Sequence, residues 1–298
     1  MTATLSRDHE SEHAEFTIER LTEPSAIRGA LSGDRAYAAY ALAQLEPRLF
    51  AMTEWYTAQS PSGSALILHS RGGLGRALFA SGDPVALDAA LSLHPGARFS
   101  FGSLHLEHRP IVEKYFMMTR PQTMLRMSVT PDTLRRPDGD ESVRLTGRDV
   151  SAVNRLYSVE GGPTTYRSIH IDDGVYYGLI EDEKLISVAG THVVSQREGV
   201  AVVGNVFTHP RFRGQGHARK VTAAVSEELL RTCPLVVLTV EESNEPAVAA
   251  YKRIGYEAVC TLHETPLIRK EPVGAISLLR RLAAGWKGRH EGKEIVSP

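Results

Sequence analysis

Arg211-Phe212-Arg213-Gly214-Gln215-Gly216-His217-Ala218 decides the reading of this 298-residue chain. Gly214 and Gly216 lack a Cβ, so the backbone N–H groups of this loop can crowd around a ligand. The loop opens a helix: Ala218, Val221, Val225 and Leu229 recur at spacings of three and four, which is one helix face. Unpaired N–H groups and the positive end of the helix dipole gather at such a start. Between His209 and Lys220 stand the cations Arg211, Arg213, Arg219 and Lys220, and no acid. The layout suits a diphosphate; the plain alternative is a surface loop with solvated arginines. A Walker A loop fails, because Arg219-Lys220-Val221 stands where Gly-Lys-Ser/Thr is needed. A dinucleotide fingerprint lacks its third glycine, since position 219 is arginine, and Thr208–Arg213 separates the strand from the first glycine. Glu241 keeps that second reading open as a ribose-binding acid.

Outward from the loop, the periodicity predicts a mixed sheet flanked by helices, an α/β fold. Gly174–Ile180 and Leu185–Val194 are β-rich runs around the acidic turn EDEK and predict a hairpin. Gly199–Phe207 is a third strand. Cys233-Pro234 stops the helix that follows the loop, and Leu235–Val240 is a short apolar run expected as a buried strand. Asn244 is a good N-cap for Glu245–Ile254, Gly255 its C′ residue, and Tyr256–Leu262 a returning strand.

At this point the chain resembles the GNAT superfamily of acetyl-CoA-dependent N-acetyltransferases. The family pattern Gln/Arg-x-x-Gly-x-Gly/Ala stands here as Arg211-x-x-Gly214-x-Gly216, after Asn205-Val206-Phe207-Thr208. The second pattern stands as Asn244-x-x-Ala247-x-x-x-Tyr251-x-x-x-Gly255-Tyr256. The resemblance covers about 143–265 and implies acetyl-CoA as co-substrate with no metal. It implies that amides of Arg211, Phe212, Arg213, Gly214, Gln215, Gly216, His217 and Ala218 hold the pyrophosphate. Val206, Phe207 and Thr208 would lie along the pantetheine arm, a backbone N–H near Val206 polarising the thioester carbonyl. Asn244, with Ala247, would contact the cofactor arm, and Tyr251 would protonate the leaving thiolate. A thiolate near pKa 8.5 benefits from a positioned acid, which a tyrosine hydroxyl near 10 can be.

The polar stretch Pro131–Ser142 predicts a linker, and at about 150 residues per domain the length fits two domains. The expected division is 16–130, 143–270 and a C-terminal tail, 271–298. Both parts open alike: Arg20-Leu21-Thr22 then Ser25-Ala26-Ile27, and Arg144-Leu145-Thr146 then Ser151-Ala152-Val153. The first part resembles the degenerate domain of tandem GNAT proteins. Its Gly73-x-Gly75-x-Ala77 mimics the loop spacing, but Ser81-Gly82-Asp83-Pro84 leaves no room for a long helix, and a hairpin turn is the better reading.

Lys+Arg 34 against Asp+Glu 35 gives net charge −1, which argues against a nucleic-acid or anionic-membrane partner. Two cysteines, Cys233 and Cys260, exclude a disulfide framework, and neither has the setting of a nucleophile, so direct amine attack is expected over a covalent relay. The start MTATLSRDHESEHAEF lacks an apolar signal run, and no apolar stretch is long enough to span a bilayer, so a cytoplasmic protein is expected. His9-Glu10-Ser11-Glu12-His13 matches HExxH, but no apolar helix wall surrounds it. The general base is not legible: Glu198, Glu160, Glu241, His192 and His209 are all candidates. In Tyr157–Ile171, Glu160 with the following Asp172 and Asp173 could attract a cationic amine, and a small-molecule amine is the expected acceptor. The rival expectation is a non-catalytic CoA or nucleotide sensor or scaffold.

Overall fold

The halves of the chain repeat one order of elements. In the computed structural model, which describes residues 15–139, 141–162, 164–271, 274–287 and 293–296, the first half runs β1 (Phe16–Leu21), α1 (Pro24–Ala30), α2 (Ala39–Ala43), α3 (Pro47–Phe50), β2 (Thr53–Ser60), β3 (Gly63–Arg71), β4 (Arg76–Gly82), α4 (Pro84–Leu93), β5 (Phe99–His105), α5 (Arg109–Tyr115), β6 (Phe116–Met118) and β7 (Gln122–Val129). The second half runs β8 (Val143–Arg144), α6 (Val150–Ser158), α7 (Ser168–Asp172), β9 (Tyr177–Glu181), β10 (Lys184–Ser195), β11 (Val200–Thr208), α8 (His217–Leu230), β12 (Leu235–Glu241), α9 (Glu245–Arg253) and β13 (Glu257–Arg269). Helix α10 (Ala275–Lys287) and β14 (Glu294–Val296) follow. The HExxH match at 9–13 lies outside the described residues.

Local chemistry accounts for the boundaries. Asp182 and Glu183 both take left-handed φ, +47° and +57°, which the two-residue turn between β9 and β10 requires. Asn244 caps α9 by accepting a hydrogen bond from Ala247 N. Gly255, at φ +98°, follows α9 where a Cβ would lie 1.8 Å from the Thr133 carbonyl oxygen, so no other residue fits. Gly73 and Gly75 lie in the hairpin turn between β3 and β4.

All strands join one mixed sheet, in the order β14-β1-β2-β3-β4-β5-β13-β7-β12-β11-β10-β9-β8, with β6 alongside β13. The sheet does not break at the linker. Strand β7, from before the linker, lies between β12 and β13, while β13 turns into the first half and pairs with β5 and β6. The returning strand expected to end at Leu262 therefore runs on to Arg269. Pro266 masks this in the sequence, since proline removes a ladder donor. The segment after 271 is also built in: Ala284 of α10 joins the core beneath α4, and β14 pairs antiparallel with β1.

Helices cover both faces. On one, α4, α5 and α10 close the first-half core while α8 and α9 pack over β7, β11 and β12. On the other, α1–α3 of the first half reach across to Val200, Val202, Val237 and Leu262, and α6 and α7 pack against Val188 and Phe207.

Candidate active site

Two neighbouring parallel strands part company at the centre of the second half. β11 and β12 pair from Val200↔Leu235 to Val203↔Leu238 and no further, although both continue, to Thr208 and Glu241. The cause is Asn205, a non-glycine residue at φ +55° that bulges β11 and shifts its register with β10 between Val188 and Gly190. Four hydrogen bonds hold this strained conformation. Tyr157 donates to the Asn205 carbonyl, Tyr166 donates to its Oδ1 at 2.7 Å, and its Nδ2 donates to Tyr176 Oη at 2.9 Å and to Thr191 O at 3.2 Å. The Tyr157 and Tyr166 rings stack at 5.2 Å. Burial pushes the Tyr157 hydroxyl far up and that of Tyr176 up to about 12, so both stay neutral donors and acceptors. The sequence reading missed this cluster; the visible signal was Gly204-Asn205 interrupting a valine-rich strand.

Beyond the bulge comes the glycine loop. The first amides close the turn: Arg211 N donates to His209 Nδ1 at 3.2 Å, Phe212 N to His209 O at 2.9 Å, and Arg213 N to Pro210 O at 3.3 Å. The amides of Gly214, Gln215, Gly216, His217 and Ala218 have no partner among the described residues. Of the amides expected to hold a pyrophosphate, those of 214–218 are the ones without a protein partner among the described residues. Gly214 and Gly216 take φ +78° and +84°, and a Cβ on Gly214 would meet nothing within 4 Å, so a ligand has room there. The first turn of the 14-residue α8 carries no acid, so no carboxylate of that turn competes for these amides. The arginines are not all available: Arg213 donates to Thr208 O at 3.1 Å, pairs with Glu160, and lies 5.6 Å over the Phe207 ring.

Tyr251 packs in one cluster with Val206 of β11 and Leu238 and Val240 of β12, the strands that flank the opening. It is 8% exposed and its hydroxyl takes no hydrogen bond among the described residues. Burial alone pushes it up to about 12. Ala247 and Phe212 pack into the same cluster, while Phe207 turns to the opposite face, against Tyr157. Asn244 Oδ1 is occupied as the α9 cap, at 3.3 Å from Ala247 N, which leaves its NH2 for a ligand.

The candidate bases separate by position. Glu198 pairs with Arg28 at the far end of β11 from the bulge, Glu160 pairs with Arg213, Glu241 accepts from Ser243 at 2.9 Å, and His209 caps its own turn. Asp172 accepts from Gly147 N at 2.6 Å and so holds the fold of the α6 end. His192 stands beside α2. Its Nδ1 is hydrogen-bonded to the Tyr40 hydroxyl of α2, and its Nε2 lies only 2.3 Å from where a Cβ on Gly204 would be, directly at the start of the bulge. Solvent reaches one side of the ring. The protein around the rest pushes its pKa below the ordinary 6.5, with Asn205 opposing and Arg126 assisting. It is neutral at pH 7. When Nδ1–H donates to the phenol oxygen, Nε2 carries the lone pair, on the side of the Asn205 side chain.

Among the described residues no group of His, Cys, Asp and Glu is placed to hold a metal ion, and no helix is long and apolar enough to cross a membrane. Residues 150–256 match the acetyltransferase (GNAT) family. An acetyltransferase of Pectobacterium atrosepticum is 36% identical over 52 residues, which are 17% of this chain and 37% of that protein. The chain thus spans little over a third of the length of that curated relative. A GCN5-related N-acetyltransferase from Sphaerobacter thermophilus superposes with a TM-score of 0.52 at 14% identity, over 87% of this chain and 96% of its own. A Drosophila protein superposes with a TM-score of 0.59 at 16% identity, over 86% and 98%. At these identities the likeness is one of fold, and it takes in both halves. Residues 150–256 carry the match to the acetyltransferase (GNAT) family, in a chain whose two halves repeat one order of elements.

Proposed function

We propose, from the match of residues 150–256 to the acetyltransferase (GNAT) family, that this protein transfers acetyl from acetyl-CoA to the primary amine of a small molecule by direct attack. The observation that carries the reading is the row of unpartnered amides at Gly214–Ala218 beside the opening between β11 and β12. These amides would hold the pyrophosphate, and the edge of β11 at Val206–Thr208 would align the pantetheine arm as an added strand. An amide near Val206 would polarise the thioester carbonyl. The amine, once neutral, attacks that carbon; the C–N bond forms, the C–S bond breaks, and His192 Nε2 takes the surplus ammonium proton and returns it to water.

Tyr251 stands at the sulfur side of the opening as the group that meets the leaving thiolate. Full transfer from a hydroxyl at about 12 to an alkyl thiolate near 8.5 is uphill by about 5 kcal/mol. Its role is therefore donation of a hydrogen bond to the developing thiolate, with the final proton arriving from solvent.

We assign catalysis to 143–270 and take 16–130 as the degenerate copy, with 271–298 a tail whose α10 and β14 pack on it. At the helix start of the first half, Asp83 already accepts from Val85 N and Ala86 N at 2.9 and 3.0 Å, so a carboxylate of the chain fills the anion site that α8 leaves open. Calorimetry of the full chain with acetyl-CoA, then CoA release with amines, amino acids, aminoglycosides and short peptides, tests the proposal. Acetyl-CoA binding with amine-dependent release on small molecules is expected. Absence of binding would overturn it, turnover of peptides alone would move the acceptor to protein N-termini, and binding without any amine-dependent release would make the protein a sensor.

A further inference from the structure

Arg126 is a charged residue at the centre of the sheet. It lies in β7, between Thr239 of β12 and Cys260 of β13, and is 1% exposed. Its Nε and Nη1 are buried without a hydrogen-bond partner, and it joins no ion pair among the described residues. Glu264, on the same face of β13, stands near enough to be influenced by its charge yet does not pair with it. Directly across the ladder, the Thr239 hydroxyl is also buried without a partner. A buried guanidinium with open donors is costly unless an anion satisfies it, and a bound ligand can supply that anion.

These donors adjoin the reaction centre. The Arg126 guanidinium lies 5.1 Å over the ring of Tyr40, and the hydroxyl of the same Tyr40 bonds His192 Nδ1. One tyrosine side chain thus spans from the arginine to the base, a distance that a single small molecule bridges. A planar guanidinium fork matches a carboxylate, with the adjacent hydroxyl as a third donor.

We infer that Arg126, with Thr239, binds a carboxylate on the acceptor, so that the amines acetylated by this protein are amino acids or similarly compact amino-carboxylates. The inference rests on the reading of the His192 side of the bulge as the acceptor site. It makes Arg126 a specificity residue contributed by a strand from before the linker.

The test compares amino acids with their own carboxamides as acceptors for the full chain, read as CoA release, in the wild type and in Arg126→Met. The wild type is expected to favour the acids by about 10²-fold in kcat/KM, the loss that follows when a buried charge is left without its partner. In Arg126→Met that ratio should fall toward one, acetyl-CoA affinity should persist, and thermal stability should hold or rise because an unpaired buried charge has gone. Amides used as well as acids, a ratio that survives the substitution, or a variant that loses stability would each overturn the inference. If acetyl-CoA binds but nothing turns over, calorimetric titration of the same acids and amides into the CoA-loaded protein decides: heat from the acids alone, abolished in Arg126→Met, supports it, and its absence overturns it. If acetyl-CoA fails to bind, the proposed function falls by itself, and the same titration into the free protein still decides on Arg126.

Discussion

Arg28 on α1 and Glu198 at the β10–β11 turn, 170 residues apart, share two hydrogen bonds of 2.7 Å. Arg35 donates to the Glu198 carbonyl, and Ser195 donates to Glu46 at 2.6 Å, so one hairpin of the second half is fastened to three segments of the first. The Glu198 side chain is 1% exposed, whereas that of Arg28 is 37% exposed. The asymmetry fixes an order of damage. Arg28→Ala strands a buried carboxylate, while Glu198→Ala leaves a guanidinium that water can reach. Arg28→Ala should therefore lose more stability in urea denaturation. The hydrogen bonds from Arg28 hold the Glu198 carboxyl below its ordinary 4.5. The contribution of the pair is present above that value and fades as pH falls through the lower one, a fade that both variants should lack. Equal losses would mean the pair is not the fastening.

Cofactor binding and chemistry should separate by residue. Gly214→Val fills the open cradle and forces a branched side chain onto φ +78°, so the Kd for acetyl-CoA should rise at least about tenfold in calorimetry. Tyr251→Phe removes a hydroxyl without a hydrogen-bond partner among the described residues, so affinity should hold while kcat falls about 10²-fold. Full activity of Tyr251→Phe at all pH values would remove it from the mechanism.

The pH profile of kcat/KM should carry an acid limb below pH 6.5. Burial lowers the His192 pKa, so the neutral base persists downward and activity is lost only as pH falls through the lowered value. Two acceptors of different amine pKa identify the limb, because the amine limb moves between them and the His192 limb does not. In His192→Gln the acid limb should vanish along with most of the rate.

A second histidine should govern acid stability without touching the site. His69 is an enclosed residue of β3, donates to His94 O at 2.8 Å, and is held by burial at about 4. The unfolded chain binds the proton first, so stability should fall as pH drops from about 6.5 to 4, by roughly 3 kcal/mol in total. Urea titrations at pH 7, 5.5 and 4 measure this, and His69→Asn, though weaker at pH 7, should show a flatter dependence. An unchanged slope in that variant would assign the acid sensitivity elsewhere.

The anion loop and the helix behind it were legible in the sequence because their determinants are local: two glycines, a run without acids, and an apolar stripe of period 3.6. So was the Asn244 cap, a contact three residues long. What the sequence hid is non-local. Nothing near Arg126 announces that it faces Tyr40 and adjoins Thr239, except the oddity of an arginine within Met124-Leu125-Arg126-Met127. Tyr157, Tyr166 and Tyr176 converge on Asn205 only because α6, α7 and β9 fold over the bulge. Glu198 looked like a base because it opens a strand, and only the packing of α1 shows its carboxylate to be occupied.

The placement of β7 between β12 and β13 makes this single chain the covalent counterpart of a domain-swapped dimer. A cut in the linker at 131–142 should leave two fragments that stay associated and keep binding acetyl-CoA, whereas a chain begun after the linker would lack the neighbour that holds β12, one wall of the cofactor opening. The two halves therefore share one sheet across their boundary, and removal of the first should expose the edge of β12.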